Sequence, residues 1–292
     1  TSQADIRVDI LDIDAKLTNE SGHTITVESS LENSAEIAND GTLNILTAGT
    51  NAGIISGEGL LDLDANLTTS GNITQNTIDL APGVLLTNDA NDVTISDTLT
   101  MATNASIANG GNLIMSGSDM EVQGTVTGAG TMQVTKGTLT NRGSITQNTI
   151  TIAVADTANG IDPKFISDID ALDVTTISNS NELELTGSTD AENPSTNQAV
   201  ITGSGTTVFK ENVVNATDIT QGEVDNQGVM DNQAKITANV SNTGTLSNSG
   251  NGEIEGNVAN TGTIESHASK ISGTITNTNG IYNLRSEEHT SE

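Results

Sequence analysis

Cysteine and tryptophan are absent from this chain of 292 residues, aromatic side chains amount to two Phe and one Tyr, and proline occurs three times. Without cysteine there are no disulfides and no thiolate metal sites, although that absence does not identify a redox compartment, since many exported proteins share it. Without large rings, a core packed round Phe and Trp is unavailable. Cations are scarce too: nine Lys and Arg stand against 38 Asp and Glu, a formal net charge of −29. Such a chain repels nucleic-acid phosphates and anionic lipid headgroups, so nucleic acid is excluded as a partner class. No apolar run approaches the roughly 18 residues of a membrane span. No signal-peptide pattern follows Thr1, so the chain is expected to be a mature form or a fragment.

What is present points one way. Thr (45), Asn (33) and Gly (29) dominate. Thr, Ile and Val favour strands and Asn and Gly favour turns, which predicts many short strands joined by tight corners.

The chain also repeats itself. "IANDGTLNI" from Ile37, "IANGGNLIM" from Ile107 and "ISNSNELEL" from Ile177 recur at equal spacing. Each is followed by a second set, "ISGEGLLDL" from Ile55, "VTGAGTMQV" from Val126 and "ITGSGTTVF" from Ile201, and by an "ITQ" at Ile73, Ile145 and Ile219. The hexapeptide "ITQNTI" is copied outright at 73–78 and 145–150. The shorter step within a set, Ile37 to Ile55 to Ile73 or Val126 to Ile145, makes the long period an expected four short ones. The gap from Ile73 to Ile107 is taken as two such steps, with Ile161 midway between Ile145 and Ile177. The ladder then runs on through Ile219, Ile236, Ile254 and Ile271. One step is oversized, Ile177 to Ile201, and its excess, residues 188–199, is a polar segment with Pro194 that predicts a loop pushed out of a corner.

A step of about 17–19 residues with an aliphatic at each repeat predicts an all-β fold, a right-handed parallel β-helix (β-solenoid) of roughly 15–16 coils over residues 1–284. Super-repeats start near 37, 107 and 177, and shorter repeats fill 219–284. Triplets such as Thr24-Ile25-Thr26 and Thr138-Leu139-Thr140 place the aliphatic inward and the threonines outward. A lone coil buries too little to offset the ordering of its backbone, which is why such units come in arrays. In "DNQGV" from Asp225, "SNTGT" from Ser241 and "ANTGT" from Ala259, an Asn precedes a corner Gly. Stacked, these amides are expected to hydrogen-bond from coil to coil. The ending "RSEEHTSE", residues 285–292, abandons the pattern and resembles translated read-through of a sequencing-library adapter. It is set aside as a non-native tail, with the natural protein expected to continue beyond it.

"ITGSGTT", "VTGAGTM" and "ISGEGLL", with the corners "NTGTL" and "NTGTI", resemble the passenger regions of bacterial autotransporters and related large surface adhesins. The resemblance is one of repeat style over residues 1–284. It implies export across a Gram-negative envelope, an extracellular location at the bacterial cell surface, and a host or environmental receptor or glycan as partner. Membrane contact would come only through a separate anchor or barrel domain.

Chemistry is sparse. His23, His267 and His289 lack metal-ligand spacing to one another, and no catalytic residue and no cofactor are assigned. The "GxG" triplets at Gly57, Gly128 and Gly203 precede no helix-forming segment and are assigned to tight corners. "LDIDA" from Leu11, "LDLDA" from Leu61 and "DIDALD" from Asp168 alternate Asp with aliphatics. Asp12 with Asp14, Asp62 with Asp64, and Asp168 with Asp170 are thereby expected on outward faces, as candidate weak Ca²⁺ ligands or as a solvated acidic surface. The leading expectation is a non-enzymatic stalk or adhesin passenger. Its rival is a carbohydrate-active β-helix enzyme, a lyase or hydrolase, acting at the 188–199 loop.

Overall fold

Alternation becomes strand wherever the triplets occur. Ile25, Val126 and Leu139 are buried, and the threonines flanking each are half-exposed, as a pleated surface with one dry side requires. The computed structural model describes residues 4–267 and 271–285. It is an all-β, all-parallel solenoid of about 15 turns, the architecture expected from the repeats. The His267 side chain, His289 and the tail from 286 onward lie outside the described residues. Two compact units divide the chain: residues up to 150 together with 158–163, and residues 151–157 together with those from 164 onward.

In the first unit three faces stack separately. One carries 6–8, 25–27, 42–45, 60–63, 77–80 and 98–101. A second carries 10–13, 31–33, 49–51, 67–69, 86–88, 106–108, 125–126 and 144–145. On the third, Ile37 lies in register with Ile55, then Ile73, Val93, Leu113 and Met132, all with no exposed surface. Each aliphatic thus touches its equivalents above and below, the close packing that makes burial worth about 1.5–3 kcal/mol per large side chain.

These registers correct the long period. Steps within a set hold: Ile37, Ile55 and Ile73 share one ladder, and Ile107, Val126 and Ile145 share another. The ladders are different, however. Ile73 leads to Val93 and Leu113, whereas Ile107 follows Leu86 and Leu67 on the neighbouring face. Four coils from Ile37 end at Leu113, past the second copy's Ile107. The displacement that repeats the sequence falls one strand short of four coils, and the second copy sits one face round. The two "ITQNTI" copies likewise bury Ile73 and Ile145 on different faces. Ile161 lies in no strand: residues 153–163 hold the 3₁₀ turn Thr157–Asn159 and isolated bridge positions at Asp156 and Ile161.

The second unit repeats the plan. One face carries 164–168, 182–186, 206–210, 223–226, 240–242, 258–260 and 275–277. Another carries 195–197, 213–215, 229–232, 245–248, 263–266 and 281–284. On the third, the expected ladder Ile177, Ile201, Ile219, Ile236, Ile254 and Ile271 is present in register. The oversized step is resolved further than the sequence allowed. Ser195–Asn197 is a strand of the solenoid, and the protruding part is 187–194, where Ser188 bridges to Asn212 of the next coil.

Candidate functional site

Three constructions involve polar residues beyond simple exposure. The first lies inside. The corner Asn226 donates from Nδ2 to Asn242 Oδ1 at 2.7 Å, Asn242 to Asn260 at 2.7 Å, and Asn260 to Asn277 at 2.8 Å, the ladder expected of those corners. A second row joins Asn197, Asn215, Asn232 and Asn248 at 2.8–2.9 Å. Thr69 substitutes for Asn in a third, its hydroxyl accepting from Asn51 Nδ2 at 2.9 Å and donating to Gly71 C=O at 2.6 Å. In every row Nδ2 of one coil donates to the next. Among the described residues the trailing oxygens of Asn19 and Asn226 have no partner; above Asn226 the residue in register is Phe209, whose side chain offers no donor.

The super-repeat explains itself here. After Asn39, Asn109 and Asn179 the equivalent corner of the next coil is Gly57, Gly128 or Gly203, with φ of +127°, +124° and +122°, a conformation reserved for glycine. A Cβ at any of them would run into the carbonyl oxygen of the preceding Asn. Glycine leaves a gap in the row, which the coil beyond fills with a longer amide. Asn39 Nδ2 donates to Gln75 Oε1 at 2.7 Å, Asn109 to Gln147 at 2.8 Å and Asn179 to Gln221 at 2.9 Å. The glutamine of "ITQ" is therefore a buried rung, a role that sequence reasoning did not assign to it. The signal was readable as Asn, Gly and Gln at successive coil spacings.

The second construction is outside. Asp62 and Asp79 are adjacent in register, with Asn44 before and Thr100 after. Burial, and then the charges of Asp64 and Asp79, push the Asp62 carboxyl above the ordinary Asp range, and burial and Asp64 do the same to Asp79. In the second unit an outward column is paired instead: Lys164 reaches Glu182 at 2.6 Å and Glu184 at 3.0 Å, and Lys210 reaches Glu184 at 2.8 Å. Burial alone would raise Glu184, but the hydrogen bonds from Lys210 and Lys164 outweigh it and hold this carboxyl below the usual Glu range. Burial likewise opposes the charge on Lys164, and its two glutamates override that and raise it.

The remaining acidic candidates disperse. Asp12 points outward in register with Glu32, and Asp14 Oδ1 accepts from Ser34 Oγ at 3.0 Å. Asp168 and Asp170 are both exposed, as expected, but Asp170 lies in a 3₁₀ turn and not in the strand that ends at Asp168. Asp168 Oδ1 accepts from the Asp170 N–H at 3.0 Å and caps the 3₁₀ turn Ile169–Ala171, because an Asx carboxylate bonding its own backbone two residues on competes with strand. Among the described residues no three His, Asp or Glu side chains converge as metal ligands.

That turn creates the third construction. Among the described residues the turn Ile169–Ala171 adds no strand to the face of Ser195–Asn197, which is the edge of its sheet and pairs with 213–215 alone. Between turn and edge lies a cleft of about 550 Å³, with Val174, Ile177 and Leu185 as apolar lining and Asp170 and Asp173 as its charged residues. Ser195 Oγ fixes Asp170 by donating to Oδ2 at 2.7 Å. No protein-family model matches this chain, and no match is found among curated proteins or solved structures.

Proposed function

We propose that the chain is the non-enzymatic β-solenoid stalk of an exported bacterial surface protein, an adhesin passenger that displays attachment surfaces. The observation that carries this reading is the distribution of elaboration. Coil after coil repeats the same buried aliphatic and amide rungs, while outward positions are mostly Thr, Ser, Asn and acids, and the second unit departs from this plan in the protruding 187–194 segment beside the cleft. Such an array spaces and exposes a surface without an assembled catalytic group. The repeat style shared with autotransporter passengers supports the extracellular location and a receptor or glycan as partner.

Beads coated with the protein should adhere to host cells or to members of a glycan array, and replacing residues 188–194 by a short Gly-Ser link should reduce adhesion several-fold without unfolding the chain. Unchanged adhesion after that replacement, together with glycan turnover that Asp170→Asn or Asp173→Asn abolishes, would replace the stalk by a carbohydrate-active enzyme.

A further inference from the structure

We propose that the cleft between residues 169–174 and the strand Ser195–Asn197 binds a protonated primary amine carried on an alkyl chain. The cleft, about 550 Å³, is within the size range of small-molecule sites, which combine an apolar floor with a few fixed polar groups. Its accessible apolar lining is Leu172 and Pro194, while Val174, Ile177 and Leu185, which line it too, are buried. Its charged groups are both carboxylates, Asp170 and Asp173, and neither is ion-paired among the described residues. Asp170 is held in place at both ends, its side chain by the Ser195 hydroxyl and its N–H by Asp168 Oδ1.

A third polar group follows from the register. Asn197 C=O accepts from the Ala216 N–H at 3.2 Å, so Asn197 turns its backbone toward the neighbouring strand. Strand alternation then directs the N–H and C=O of Thr196, a residue that lines the cleft, to the opposite side. Two carboxylates and a carbonyl oxygen suit the three donors of an ammonium group, and the apolar surface of Leu172 and Pro194 suits the methylenes behind it. A bare Ca²⁺ would find too few oxygens for its six to eight ligands and no use for the floor. The chemistry is shared by a free diamine and by a lysine side chain on a partner polypeptide.

This site goes beyond the display reading, and amine binding and surface adhesion can each fail without the other. Isothermal titration of the full chain in moderate NaCl would use 1,5-diaminopentane and Nα-acetyl-lysine methylamide as probes, with 1-pentanol and CaCl₂ as comparisons. Saturable binding of an amine probe is expected, weakened at least tenfold by Asp170→Asn with Asp173→Asn and unchanged by Asp62→Asn with Asp79→Asn. Preference for the diamine marks a free ligand, and preference for the lysine amide marks a polypeptide. The proposal is overturned by absence of amine binding, by equal loss in the Asp62 and Asp79 variant (diffuse charge only), by equal binding of 1-pentanol, or by CaCl₂ displacing the amine stoichiometrically. Unchanged melting temperatures in both double variants exclude misfolding as the cause of any loss.

Discussion

Asp62 and Glu184 are both outward carboxylates in the middle of a strand stack, and their protons are displaced in opposite directions. Asp62 has an acid for a neighbour on the next coil, so partial burial and like charge both work against ionisation. Glu184 is 14% exposed but receives an ammonium from the coil on either side, and ionisation is favoured in spite of burial. In a solenoid the neighbour one coil away sits at the same place on the face, so one substitution decides whether a column repels or pairs. Inside, where water cannot substitute for a missing partner, the polar rungs are amides or a hydroxyl bonded along the row.

The comparison predicts effects graded by depth. The largest should come from the inner row. Gly128→Ala places a methyl against the Asn109 carbonyl at φ +124° and is expected to lower stability by about 3 kcal/mol in urea denaturation. Gln147→Leu removes a rung while keeping the volume and should cost about 1–2 kcal/mol. If Gln147→Leu were neutral, burial would not be what dictates the rungs.

Next comes the paired column. Lys164→Met with Lys210→Met leaves Glu184 half-buried and unpartnered, for an expected loss of about 1–2 kcal/mol at neutral pH after allowance for its partial exposure. Asp79→Lys should act in reverse on the other column, turning repulsion by Asp62 into attraction and stabilising by about 0.5 kcal/mol. A destabilising Asp79→Lys would show that the acids are held for binding rather than tolerated.

Acid separates the two columns further. Glu184 is lowered from 4.5, so its contribution is present above that value and disappears as pH falls through the folded one. Asp62 and Asp79 are raised from 3.8, so their unfavourable contribution is present at neutral pH and is relieved as pH falls through their raised values. Acidification should therefore shrink the advantage of Asp79→Asn over the parent chain and, separately, the advantage of the parent over the double lysine variant, both of which parallel denaturation series from neutral pH downward would resolve. The smallest expected effect is screening. Moderate NaCl should raise the melting temperature of the parent slightly and that of Asp79→Asn less, and a distinctly larger rise in millimolar CaCl₂ would mark a specific cation on the acidic column.

Much of this was legible beforehand. The coil length, the inward aliphatics, the Asn corners at 226, 242 and 260, and the enlarged step before Ile201 follow from periodicity and turn chemistry. The count of coils per super-repeat did not, because the corners of a solenoid are near-equivalent: a sequence that makes one corner makes the next equally well, and nothing local records on which face Ile107 falls. Gln75 and Gln147 were not read as rungs because their partners, Asn39 and Asn109, lie two coils away across a glycine. Asp168 and Asp170 alternate with aliphatics as strand residues do, and only the capping hydrogen bond from Asp170 N–H to Asp168 shows why the chain turns there and opens the cleft.

The uniform direction of the amide rows has a consequence for how this sequence can change. Since each rung recognises only a donor behind it and an acceptor ahead, whole coils can be gained or lost with the grammar intact, whereas a segment of half a coil leaves every later side chain on the wrong face. A glycine corner extends that grammar to a clause of three coils, Asn then Gly then Gln, which must be copied or deleted together. The sets that begin at Ile37, Ile107 and Ile177 are such clauses, and they survive being shifted from one face to another because their syntax runs along the stack and not around it.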